Sequence, residues 1–368
     1  MPHHNGMLRD KFNLWTSKIE PNAVIRGAQL TFVGAHRALQ NPEIFTTEHY
    51  TQVAYAIIAG IVIRFLVVIP IVAVKLSLRV ISLVYSLDNV FWDNTILEWL
   101  NFTGEHILQV PFFLMTVMRY FVPTLDNLFM QSLNWVDTTY MRKHIYDSPN
   151  DLRELYYPNL RSYHLENQFR SNRYRTAFAN FLFKYARRAW LSIVIYTLSY
   201  LPVIGTLVLP MASFYSFKKA AGFAPAALIF GIGILLPRDF LIIFLQTYYS
   251  SRNLMRELLE PYFSRVHFTS EEKKNWFRNR EGVLFGFALG FYMLMKVPLM
   301  GVLIYGIAEA STAYLITKIT DPPPLPPLMR KYAISQQTWQ NKHQFLHLKI
   351  QDIDNIQRKP VFKASMKE

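Results

Sequence analysis

Five long apolar runs divide the chain. They span Val53 to Val74 (continuing toward Tyr85), Ile107 to Met130, Ala189 to Phe217, Ala220 to Tyr249 and Gly282 to Thr317. Each is hydrophobic all round rather than striped, which argues against ordinary surface helices. Each also reaches the roughly 20 residues that a membrane span requires. The last three runs are about 28–36 residues long, too long for one untilted span. Each is broken near its middle by proline, at Leu201-Pro202-Val203-Ile204-Gly205, Leu236-Pro237-Arg238-Asp239 and Val297-Pro298-Leu299-Met300-Gly301. Their halves would measure roughly 18–24 Å as helix, short of a ~30 Å hydrocarbon core.

Charge then assigns an orientation. Arg187, Arg188, Lys218, Lys219, Arg252, Arg256, Arg278, Arg280 and Lys318 flank both ends of these three runs. Basic flanks favour the cytosolic side, so the pattern predicts three re-entrant helical hairpins that enter from the cytosol and return to it. Kinked, tilted spans are the rival reading. The loop between the first two runs, residues 88–105, carries Asp88, Asp93, Glu98 and Glu105 without Lys or Arg. It also holds the sequon Asn101-Phe102-Thr103, so Asn101 is a glycosylation candidate and the loop reads as lumenal. The expected fold is an all-α integral membrane protein with two long transmembrane helices, about three Pro-broken re-entrant hairpins and both termini in the cytosol. The hairpin breaks are Pro202, Gly205, Pro237, Pro298 and Gly301.

The remaining parts fall into place around this frame. Residues 1–52 form a cytosolic N-terminal region whose Leu8, Phe12, Trp15 and Ile19 recur at helical spacing. The N-terminus has no apolar core of the signal-peptide type, so cleavage is not expected. Small residues in Arg26–Leu39 would let a helix pack closely on a neighbour, as would Gly286 and Gly290 in a GxxxG pattern. Two spanning helices occupy 53–136, a basic cytosolic segment 137–188, the hairpins 189–318 and a Pro-linked cytosolic tail 319–368. Thr269-Ser270-Glu271-Glu272 reads as a helix start. Asp321 to Pro327 reads as a stiff spacer, followed by one polar helix near 336–356.

Composition narrows the classes. Of 368 residues, 51% are hydrophobic and 17% charged, against about 25% charged in soluble domains. That excludes disorder, and the absence of Cys excludes a disulfide scaffold and Cys-ligated metal. The net charge of +14 fits basic segments held at acidic lipid headgroups, and no nucleic-acid signature accompanies it. No phosphate loop, nucleophile elbow or HExxH is present, so no enzyme, no cofactor and no metal site is expected. His343 and His347, four apart, lack an acidic third ligand. His347 to Asp352 fits a bare H-x4-D pattern without companion motifs. Arg64 and Arg119, mid-way in the two spans, and Lys296 in the third hairpin are candidates for an anion path or for structural ion pairs. A pattern shared by Leu201–Val208 and Val297–Ile304 suggests related units.

The stretch RGAQLTFVGAHRALQNPEIFTTEHY (Arg26–Tyr50), followed directly by the first apolar run, resembles the fungal UsgS-like transmembrane proteins. The P-x-x-G breaks resemble the wider superfamily of etoposide-induced and CysZ-like membrane proteins, which includes yeast sporulation proteins of lipid droplets and the outer spore wall. The resemblance covers roughly residues 26–318. It implies an α-helical protein of the endoplasmic reticulum or lipid droplet, non-enzymatic and active in droplet, spore-wall or membrane organisation. The alternative it implies is a sulfate-type anion channel or transporter, and it supplies no catalytic residues. The extra apolar run, the long basic segment and the proline-linked tail depart from the bacterial pattern. A third expectation is a membrane scaffold that docks a protein partner, or a second copy of itself, through the tail.

Overall fold

The computed structural model describes residues 20–45, 124–147, 152–163, 238–297 and 300–355, with single helical positions between 58 and 80 and between 183 and 231. Every described element is helical. Helix α1 runs Pro21–Leu39, α2 Thr124–Lys143 and α3 Tyr156–Ser162. Next come α4 Arg238–Leu258, α5 Glu260–Phe263, α6 Ser270–Asn279, α7 Glu281–Met295 and α8 Gly301–Ile319. The tail adds α9 Met329–Ser335 and α10 Lys342–His347, with 3-10 turns at Pro326–Leu328 and Ile350–Asn355.

Helix α7 is the centre. It packs on α1, α4 and α8, while α2 covers α8 and α3 packs on α2. Helix α1 starts with Pro21 at a first-turn position, where the missing N–H costs no helical bond. The α1–α7 approach is set by small residues on both sides. A Cβ on Gly27 would stand 2.1 Å from the Val283 carbonyl oxygen, and one on Gly290 2.6 Å from Thr31 Oγ1. Backbones that meet this closely let Thr31 Oγ1 donate to the Phe287 carbonyl across the interface at 3.0 Å. Phe287, Ala288, Phe291, Val283 and Leu284 of α7 are buried against this shell, as are Phe129 and Leu133 of α2.

These contacts correct the expected architecture of two long transmembrane helices with re-entrant hairpins. Among the described residues no helix is long and apolar enough to cross a membrane. The physical reason is visible in the last apolar run. Away from the α7–α8 turn its side chains are largely covered by protein, and the polar Glu309, Ser311, Thr312 and Thr317 of α8 are buried among them. An all-round apolar helix suits the core of a large protein as well as it suits lipid. The end of the second run likewise lies in α2, which continues to Lys143 and holds Asp126 in a two-pronged bond with Arg265 (2.8 and 2.6 Å). Most of runs 53–74 and 107–130, the loop 88–105 and the N-terminal residues 1–19 lie outside the described residues.

The tail is a second correction. Pro322, Pro323 and Pro324 are buried rather than forming an extended spacer. Asn159 Nδ2 of α3 donates to the Pro323 carbonyl at 2.8 Å, and the Tyr163 hydroxyl donates to the Pro324 carbonyl. One short helix, Lys342–His347, and a 3-10 turn, Ile350–Asn355, replace the single helix expected near 336–356.

Candidate functional site

The α7–α8 pair has two unlike ends. At the Arg280/Ile319 end a polar network is buried beneath the tail. Arg280 is 1% exposed; its Nε donates to the Ile319 carbonyl (2.8 Å) and its Nη1 to the Gln336 carbonyl (3.0 Å). The guanidinium lies 4.6 Å from the Trp276 ring and 5.6 Å from that of Trp339. Burial pulls its pKa down to about 10, which leaves it charged at neutral pH. Gln336 Nε2 donates to Asp321 Oδ2 (2.8 Å), while burial pushes the Asp321 carboxyl up. The Tyr332 hydroxyl donates to the Asp321 carbonyl oxygen (2.5 Å) and bonds the Tyr262 hydroxyl at 3.0 Å. Charged groups here are tied to backbone carbonyls and amides, an arrangement that fixes the tail and offers no nucleophile and base in contact.

At the other end the pair ends in exposed apolar side chains: Met293, Leu294, Val297, Met300 and Leu303. Lys296 stands among them, exposed, its Nζ 5.0 Å from the Tyr292 ring centroid. A second apolar surface lies on the helical positions Ile58, Val62, Phe65, Ile69, Val72, Leu76 and Val80, each 51–62% exposed. Their spacing of three and four residues puts them on one helix face.

Of the expected site residues, Lys296 is at the exposed α7–α8 turn and Gly301 is the buried first residue of α8. Arg64, Arg119, Asn101, Pro202, Gly205, Pro237 and Pro298 lie outside the described residues. Of the three cations proposed for an anion path, Lys296 alone is among the described residues. Phe214 meets Phe223 (5.7 Å) and Phe230 (5.9 Å), with Lys218 Nζ 5.9 Å from the rings of both Phe214 and Phe223. The third and fourth apolar runs thus touch across Lys218. His343 and His347 stack with ring centroids 4.4 Å apart, both exposed.

Sequence reasoning did not pick out Arg153, Arg26 or Arg265 as buried cations. Arg153, in the basic segment, is buried with its Nη2 2.9 Å from Asp137 Oδ1 and lies 4.2 Å from the Tyr140 ring and 4.9 Å from the Tyr156 ring. The Tyr157 amide donates to the other carboxylate oxygen (2.7 Å), against a burial that pushes the Asp137 pKa up. Arg26 of α1 is 7% exposed, and its Nη2 donates to the Leu346 carbonyl (3.1 Å) and to that of Leu348. Interleaved tyrosines were the available signal for Arg153, since a ring pair is what a desolvated guanidinium stacks between.

Compared with protein-family models, curated proteins and solved structures, the chain matches none.

Proposed function

We propose that this protein works at a lipid surface, as a non-enzymatic organiser of the endoplasmic reticulum membrane or of the lipid droplets that form from it. The observation that supports this reading is the row Ile58, Val62, Phe65, Ile69, Val72, Leu76 and Val80. Seven large apolar side chains at helical positions, three or four residues apart, stand more than half exposed. Full burial of each such side chain favours the buried state by about 1.5–3 kcal/mol, so the row as a whole favours leaving water. A row of large apolar side chains this exposed is a contact surface rather than ordinary protein exterior.

Lipid is the occupant that the charge favours. The net charge of +14 draws the chain to anionic headgroups, and Lys296 sits in the exposed apolar end of the α7–α8 pair, where its stem can rest on the hydrocarbon boundary while the ammonium stays at headgroup level. Attachment along a face needs no crossing helix. The resemblance of Arg26–Tyr50 to UsgS-like proteins supports the choice of endoplasmic reticulum and droplet.

Flotation with vesicles tests the attachment. The full chain should float with phosphatidylcholine vesicles containing a fifth phosphatidylserine, and the triple variant Phe65→Gln, Ile69→Gln, Leu76→Gln should lose most of that. A wild-type chain that stays at the bottom, monodisperse without detergent, would sink the reading. A tagged chain found only at the plasma membrane would remove the reticulum and droplet part, as would unchanged droplet number and size on its loss.

A further inference from the structure

Between α1 and the tail lies a groove of about 510 Å3 lined by Asn22, Ile25, Arg26, Gln29, Leu346, Lys349 and Ile350. That volume is in the range of small-ligand sites. Its floor is unusual in charge. Arg26 is almost wholly buried, yet its hydrogen bonds go to two backbone carbonyls and to Gln29 Oε1 (3.2 Å), and no carboxylate pairs with it among the described residues. Lys349 stands exposed at the groove. Among the described residues no acidic side chain lines the groove. Glu20, just before the start of α1, is taken by Lys342 at 2.8 Å, and Asp352, whose amide donates to the Lys349 carbonyl (3.0 Å), is not among the lining residues. A buried cation without a counter-ion is costly, and an anion delivered from solution relieves that cost.

The remaining donors complete an anion cradle. Because Gln29 accepts from Arg26 through Oε1, its amide nitrogen is left to donate, and Asn22, two turns earlier on the same face of α1, brings another amide. Ile25, Leu346 and Ile350 give the groove an apolar wall beside this polar floor. Two cations and two amides suit a doubly charged phosphate better than a singly charged carboxylate. The apolar wall suits a carbon chain attached to it.

We propose that this groove binds a phosphate monoester carrying an apolar or glycerol substituent. The site goes beyond lipid attachment through the 58–80 face, and can fail while that attachment holds. Such a ligand could arrive as the headgroup of phosphatidic acid or as a soluble phosphate, and the two sources separate by experiment.

The test uses the full chain in mild detergent with three probes: glycerol 3-phosphate, inorganic phosphate, and vesicles of phosphatidylcholine with or without a tenth of phosphatidic acid. Binding of at least one monoester probe above the phosphatidylcholine baseline is expected. Binding to vesicles alone identifies the lipid headgroup as source, and binding of glycerol 3-phosphate as well admits the soluble one. Lys349→Glu and Gln29→Glu should each weaken binding at least tenfold. Gln29→Glu retains an acceptor for Arg26, so the fold is kept while the groove gains a negative charge. Flotation with phosphatidylserine vesicles should change less than twofold in both variants. The proposal is overturned if no monoester probe binds, or if both variants with unchanged thermal midpoints bind as the wild type does.

Discussion

Gly286 of α7 lies directly against Val24 of α1: a Cβ at position 286 would stand 1.9 Å from the Val24 carbonyl oxygen. No real side chain tolerates that distance, and the obstacle is backbone that cannot rotate away. Gly286→Ala must therefore push α1 and α7 apart. Overpacking of this kind costs about 1–3 kcal/mol, and the loss of the Thr31–Phe287 hydrogen bond adds to it. The comparison is Gly306→Ala on α8, where the nearest atom, Leu128 Cδ2, is at an ordinary 3.7 Å. There the better helix propensity of Ala should leave stability unchanged or raise it by up to about 1 kcal/mol. Denaturant unfolding of both variants checks the pair; equal midpoints for the two would count against the close-approach account.

Asp137 and Arg153 make a second test. Both side chains are buried, at 5% and 3% exposure, and the guanidinium is held between two tyrosine rings. Asp137→Asn leaves a buried cation without its counter-charge, for which about 3–5 kcal/mol is the expected loss. Replacing both at once by residues of similar volume, Asp137→Leu with Arg153→Met, should recover a large part of that, because desolvation of the two charges is then removed with their attraction. A double variant no better than Asp137→Asn alone would mean that the tyrosine stacking, and not the ion pair, holds this corner.

How far the chain is legible from its residues depends on what a residue type reveals about its partner. The small residues of Arg26–Leu39 and the GxxxG at Gly286–Gly290 were readable separately as packing faces, and the structure places them against each other. The helix start at Thr269 was readable because a capping box is local. The apolar run 282–317 was read as lipid-facing, since composition alone does not say whether lipid or protein covers a hydrophobic helix. Arg280 and Arg153 were read as markers of a basic face. Their burial depends on carbonyls at Ile319 and Gln336 and on a carboxylate at Asp137, and pattern does not link positions so far apart in sequence. The tail misled for a related reason: prolines stiffen a chain whether or not they are buried, and it is Asn159 and Tyr163 that seat them.

The capping box at the start of α6 predicts a pH dependence. Glu272 Oε2 accepts from the Thr269 amide (2.9 Å), the Glu272 amide donates to Thr269 Oγ1 (3.3 Å), and Arg330 donates to the same carboxylate (2.9 Å). Burial opposes ionisation of Glu272, but these bonds together with the Arg330 charge outweigh it and hold the pKa below the usual carboxylate value. A carboxyl whose folded pKa is depressed stabilises the fold above its unfolded pKa, and that stabilisation fades as pH falls through the folded value. Wild type should therefore exceed Glu272→Gln in thermal midpoint at pH 7, with the gap narrowing progressively as pH falls below 4.5. A gap that is constant over this range would assign the effect to packing. Thr269→Ala should cost about 1 kcal/mol at all these pH values.

Arg280 decides whether the tail stays seated. Its buried side chain touches both the end of α8, through the Ile319 carbonyl, and the tail, through the Gln336 carbonyl, with Trp276 and Trp339 beside it. Arg280→Met keeps much of the volume but strips both carbonyls of a donor, and each buried acceptor left unpaired costs about 1–3 kcal/mol. The tail can relieve that cost by lifting off and hydrating Gln336, whereas α7 and α8 are held by α1, α2 and α4 and have no such freedom. Limited trypsin digestion should accordingly cut Arg280→Met first after Arg330, Lys331 or Lys342, at enzyme levels that leave the wild type whole, while the helical signal falls little. Arg280→Lys retains the charge but has no planar group to lie between two indoles and cannot reach both carbonyls in one geometry, so it should be cut at an intermediate rate. Digestion of Arg280→Met that begins inside 281–319 instead would show that Arg280 holds the core together rather than fastening the tail to it.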